Sequence, residues 1–206
     1  NNANTFLAGI VVMDDGRVAA CDWGNNGIVL INPDSHTNSL LTGFNGPGDY
    51  TGVNNRGATT NTAKFYQPYG LAKAGNGMLI VSDYGNNRVK VVDPAGTVTN
   101  LYGVSSSLWY TGAGAWPGWR DGNVTVPDAV GDVEARAPSG VVFAADRTVY
   151  VAEDYYQLIR KVTGANLPPI PPPPPPPRGD DRAARRRAAR ALASRCWSRT
   201  RAPSTA

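Results

Sequence analysis

The sequence predicts an all-β fold of repeated antiparallel units, and three observations predict it. Three segments align without a gap: GIVVMDDGRVAACDWGNNGIVLI from Gly9, GLAKAGNGMLIVSDYGNNRVKVV from Gly70 and GVVFAADRTVYVAEDYYQLIRKV from Gly140. An acid stands thirteen residues after each glycine (Asp22, Asp83, Glu153), and a β-branched residue nineteen after it (Ile28, Val89, Ile159). Each segment also breaks into short runs rich in Val, Ile and Tyr, separated by turn residues. Matching composition does not place a glycine, an acid and a β-branched residue in the same register three times. The repeat is real.

The elements follow in order. A first strand comes after each glycine, over 10–13, 71–74 and 141–144, and ends in a turn such as Asp14-Asp15-Gly16 or Gly75-Asn76-Gly77. The second strand covers 17–21, 78–82 and 148–152; the apolar run MLIV of the middle unit suits a strand covered on both faces. The third contains Arg88-Val89-Lys90-Val91, an alternation expected to turn its cations outward and its valines inward. A fourth strand is expected at 39–42 and 97–101. The third unit runs from Val162 into Gly164 and then proline, so it is expected to lack one. Tandem units of four antiparallel strands are the blades of a β-propeller, each unable to bury both of its faces alone. The glycines are 61 and 70 residues apart, more than the ~40–50 of compact blade repeats. The excess lies in 44–65 and 104–137.

The segment FYQPYGLAKAGNGMLIVSDYGNNRVKVVDPAG resembles an NHL repeat. It has an aromatic residue, then Pro and Gly, a Gly turn, V-x-D, an Asn-containing turn, a β-branched strand and a final Gly. GAGAWPGWRDG followed by EARAPSG resembles the connector of the long-linker NHL proteins of teneurin and bacterial type. The resemblance covers residues 6–162. It departs from the pattern at Leu7, where proline is usual, at Glu153, where aspartate is usual, and at Tyr156-Gln157, where an Asn pair is usual. It implies a ring of about six blades, so these blades would form an incomplete ring.

Residues 1–166 are thus expected to be propeller, with repeat cores at 9–31, 70–92 and 140–162. Residues 167–177 are expected to be a polyproline II spacer, with seven of the 17 prolines in the unbroken run 171–177, and 178–206 an Arg/Ala-rich, disordered tail. The tail's nine arginines against Asp180 and Asp181 make it +7, which leaves residues 1–177 at −3 of the +4 total. That balance argues against specific nucleic-acid binding by the body. The tail reads either as a flexible basic segment or as GC-rich sequence translated out of frame. Apolar runs such as 141–145 are far short of the ~20 residues of a membrane helix. Cys21 and Cys196 flank the proline run and suggest no disulfide framework. The chain starts at Asn1 rather than Met, and is expected to be a processed product or a fragment.

The three acids Asp22, Asp83 and Glu153 read as structural turn acids that accept N–H groups of the following turns. No D-x-D-x-D-G spacing occurs, and one histidine, His36, cannot build a histidine-bound metal site. No metal and no cofactor is expected. The relatives that the resemblance brings in include lactonase and strictosidine-synthase-like enzymes, so a fragment of an enzyme propeller without its catalytic blades is the alternative reading. The leading one is a non-catalytic module that binds a protein, peptide or glycan. In an up-and-down blade, the turn between strands two and three lies at the end that carries the inter-blade connectors. That end gathers Trp23, Tyr84, Tyr155 and Tyr156 with Trp109, Tyr110, Trp116 and Trp119 of the long connector, a set suited to recognition or to packing the loop down. Asn123-Val124-Thr125 is a glycosylation sequon in that connector and favours an extracellular over a cytoplasmic location. Open blade edges are expected to promote self-association.

Overall fold

The computed structural model describes residues 6–44, 46–49, 63–103, 135–164 and 167–169. They build three antiparallel sheets of propeller-blade type. The first has β1 (Leu7–Val12), β2 (Val18–Asp22), β3 (Gly27–Asn32) and β4 (Thr37–Gly43), hydrogen-bonded in chain order. The second repeats the meander with β5 (Pro68–Lys73), β6 (Leu79–Asp83), β7 (Arg88–Val92) and β8 (Val98–Tyr102). The third has β9 (Pro138–Phe143), β10 (Val149–Glu153) and β11 (Leu158–Val162) and no fourth strand among the described residues.

The first strand of each blade starts three residues earlier than expected, at Leu7, Pro68 and Pro138. Each repeated glycine therefore lies inside a strand, beside a register shift in the ladder to the second strand. The position of these glycines in the stack explains them. A Cβ on Gly9 would stand 2.5 Å from the Tyr69 carbonyl oxygen, so β1 and β5 meet there backbone to backbone. Gly70 makes the same approach to Ser139 of β9, closer still.

Two apolar cores hold the blades together. Ala19, Cys21, Ile28 and Leu30 of the first blade pack on Leu71, Leu79, Val81 and Val92 of the second. On its other side, the second blade packs Ala72, Ile80, Val89 and Tyr102 on Val141, Val149 and Val151 of the third. Burial removes the apolar surface that a lone blade leaves wet, which is the main attraction between the units.

The middle blade is covered on both faces, and this corrects the expected orientation of β7. Lys90 is fully buried and Arg88 nearly so, rather than turned to solvent. The alternation is present, but Lys90 is covered by Asp49, Lys64 and Phe65 of the connector between the first and second blades. The ammonium is paired with Asp83 at 2.7 Å and Asp49 at 2.9 Å, donates to the Lys64 carbonyl at 2.9 Å, and lies 5.0 Å from the centre of the Phe65 ring. Charge this deep is tolerated only when paired and hydrogen-bonded.

Leu167–Pro169, expected as the start of the spacer, lie against the opposite end of the blades. Leu167 is buried in the second core, Gly75 N–H donates to the Pro169 carbonyl at 2.7 Å, and Arg147 donates to the carbonyls of Leu167 and Pro168. The remainder of the proline run and the arginine tail lie outside the described residues.

Candidate functional site

The candidate site is the connector end of the blades, built from the turns between second and third strands and from the segments leading into each first strand. Backbone hydrogen bonds join the two in every blade: Trp23 N–H to the Phe6 carbonyl, Gly85 N–H to that of Tyr66, and Asp154 N–H to that of Ala137. Neighbouring blades are joined at the same end. Asn26 accepts the Gln67 N–H at 2.8 Å through its side-chain oxygen, and Asn87 accepts the Ala137 N–H at 2.8 Å. Both asparagines have positive φ, 58° and 55°, a conformation asparagine adopts more readily than most residues. One residue type closes the turn and fastens the next blade.

The repeated acids belong to this framework, and they do not all act alike. Asp22 accepts the N–H of Asn25 in the following turn at 3.1 Å and its side-chain amide at 3.0 Å. Asp83 instead accepts the Tyr66 N–H of the incoming segment, the Asn86 amide and the Lys90 ammonium. Glu153 follows Asp83, with the Arg136 N–H, the Tyr102 hydroxyl and the Arg160 guanidinium. The difference lies on the third strand, where Lys90 and Arg160 occupy the position held by Val29 in the first blade. Burial raises the Asp83 carboxyl against the opposing pull of Lys90, Asn86 and the Tyr66 N–H. Burial likewise raises Glu153 against Arg160. Burial also pushes the Cys21 thiol up, away from the range of a reactive thiolate.

Aromatic rings sit on this end in each blade. Phe6 and Trp23 meet edge to face with centroids 5.6 Å apart. Tyr69 and Tyr84 lie 6.0 Å apart, and Tyr155 and Tyr156 meet perpendicularly at 5.2 Å. The Arg136 guanidinium stacks 3.2 Å from the centre of the Tyr155 ring and 5.8 Å from that of Tyr156. Arg136 itself is buried, while Tyr155 is 57% exposed, Phe6 58% and Tyr69 45%. The end therefore presents aromatic faces that are held by the protein and open to solvent.

Of the site residues expected from sequence, Trp23, Tyr84, Tyr155 and Tyr156 are found together at this end. Trp109, Tyr110, Trp116, Trp119 and the sequon residue Asn123 lie outside the described residues. Phe6, Tyr69 and Arg136 were not anticipated. Their signal was present, since each stands within four residues before a repeated glycine, at the same end as the turns. Among the described residues, no group of three or more His, Cys, Asp or Glu side chains is placed to hold a metal ion. None of the described helices is long and apolar enough to cross a membrane.

No family model matches the sequence. No curated protein matches it either. Solved structures do match. An auxiliary nutrient binding protein from Bacteroides thetaiotaomicron superposes with a TM-score of 0.59 at 17% identity, over 75% of this chain and 36% of that one. A protein of unknown function from the same organism gives 0.57 at 18% identity, over 78% and 35%. An auxiliary nutrient binding protein from Bacteroides ovatus gives 0.50 at 16%, over 75% and 36%. The likeness is one of fold, to proteins of the propeller class. The chain spans about a third of the length of these structures.

Proposed function

We infer that the protein is a non-catalytic binding module of NHL propeller type, acting outside the cell, which recognises a protein, peptide or glycan through the connector end of its blades. The observation that carries this reading is the Tyr155 face, exposed to solvent and backed by the Arg136 guanidinium at 3.2 Å. A ring fixed from behind loses little freedom when a ligand stacks on it, which favours recognition. The aromatic pairs of the other blades extend the same surface, and the connector with its four large aromatics and its sequon joins that end. The NHL assignment is supported by the motif of the middle repeat and by the blade order.

The test is binding of the full chain to glycan and peptide arrays, beside Tyr155→Ala and Trp23→Ala variants. Saturable binding to one ligand class that both substitutions weaken supports the reading. Binding that neither substitution alters refutes it.

A further inference from the structure

The repeat assigns a partner to two faces that have none among the described residues. Each blade has a leading face toward the blade before it and a following face toward the blade after it. On the following side, the equivalent residues Ala19 and Ile80 are fully buried, as are Ile28 and Val89. Their counterparts in the third blade are Tyr150, 38% exposed, and Ile159, 76% exposed, with Val142 beside them at 59%. On the leading side, Leu71 and Val141 are buried at 7% and 9%, while their counterpart Ile10 in the first blade is 64% exposed. One chain thus carries one open face of each kind, and the two kinds already pack on each other twice inside it.

The backbone agrees. Gly9 lies against the Tyr69 carbonyl and Gly70 against that of Ser139, each the residue before the next repeated glycine. Around Gly140, the nearest atom to an added Cβ is the Ala152 methyl at 3.8 Å. Gln157, at φ 54°, is the counterpart of Asn26 and Asn87, whose side chains accept the N–H of Gln67 and Ala137. The counterpart of Gln67 and Ala137 in the first blade is Phe6.

We propose that a second copy of this chain covers these faces, head to tail, so that the third blade of each copy packs on the first blade of the other. Gly140 then lies against the Ala8 carbonyl of the second copy, and the Gln157 amide accepts its Phe6 N–H. A head-to-tail contact gives a ring if it closes and a filament if it does not. Two copies of the three described blades make six, within the about four to eight blades of a propeller, so the pair is expected to close.

Sedimentation equilibrium of the full chain tests this. The expected mass is twice the 21.8 kDa of one chain, without larger species. Ile10→Asp and Ile159→Asp change exposed side chains, so each variant is expected to fold and to sediment as one chain. Each spoils one face only. An equal mixture of the two is therefore expected to regain the two-chain mass through the single intact contact. Gly140→Ala, which among the described residues meets only the Ala152 methyl at ordinary contact distance, is expected to halve the mass as well. A single-chain mass for the unaltered protein overturns the proposal and leaves the faces to blades of another protein or a longer chain. A growing polymer overturns the closure. An Ile10→Asp variant that stays paired shows the third blade joining its own copy and overturns the head-to-tail arrangement, as does a mixture of folded variants that stays at one-chain mass.

Discussion

Replacing Gly70 by alanine tests whether blade stacking depends on backbone contact. The added Cβ clashes with the Ser139 carbonyl oxygen at 1.9 Å, against the ~3.3 Å of a close C···O contact. Strands β5 and β9 must then part by roughly 1.4 Å, and a gap of 0.5–1 Å already forfeits about a quarter to a half of a dispersion contact. Overpacking typically costs about 1–3 kcal/mol, and a clash with backbone, which cannot rotate away, belongs at the upper end or beyond. A loss of about 3 kcal/mol corresponds to a drop of roughly 6–12 °C in Tm for a domain of this size. Gly9→Ala, at 2.5 Å from the Tyr69 oxygen, is expected to lose less, and Gly140→Ala nothing, with a gain of up to about 1 kcal/mol from a stiffer unfolded chain. None of the three glycines has positive φ, so backbone strain does not enter the ranking. The assay is thermal melting by circular dichroism in an Ile159→Asp background, where pairing between copies does not contribute. Equal melting of the Gly70 and Gly140 variants would show that the blades do not stack through this backbone contact.

Three further expectations concern the polar groups. Lys90→Met leaves Asp83 and Asp49 without their shared ammonium, and urea unfolding should show a loss of about 3–5 kcal/mol; a loss below 1 kcal/mol would mean that the cluster rearranges. Asn87→Ala removes the acceptor of the Ala137 N–H and places alanine at φ 55°, for a combined loss of about 2–3 kcal/mol. Asn87→Gly relieves the φ and should recover part of this, so equal losses would show that φ is irrelevant there. Burial raises Glu153 above its ordinary value of 4.5 despite Arg160. As pH rises past 4.5 the unfolded chain releases that proton while the folded chain keeps it, so this carboxyl's contribution to stability falls until the folded carboxyl also ionises. Melting from pH 4 to 7 should therefore show the wild type losing ground to Glu153→Gln as pH rises; a gain would contradict the sign.

Much of this architecture is legible because a repeat reports the same physics three times. Strand order, turns and the three described strands of the last blade follow from Gly9, Gly70 and Gly140 and the runs after them. The surroundings of Lys90 do not. An Arg-Val-Lys-Val run reads as a half-wet strand unless one knows that its polar side is covered, and the covering residues Lys64, Phe65 and Asp49 come from a connector without repeat pattern. The side-chain bonds of Asn26 and Asn87 are hidden for a similar reason. Their turn role is local, whereas the N–H they accept is 41 or 50 residues away. Arg136 is missed because an arginine before a Pro-Ser-Gly strand start looks solvated, and only the packed structure sets it beneath Tyr155.

Whether the connector end is a binding surface is decided by calorimetric titration of the strongest array ligand. With Tyr155→Ala, affinity is expected to fall at least about tenfold, roughly the 1.4 kcal/mol of one stacked aromatic contact, while the lost Arg136 contact lowers Tm by only about 2–4 °C. Undiminished affinity in the folded variant would contradict a binding role for this end.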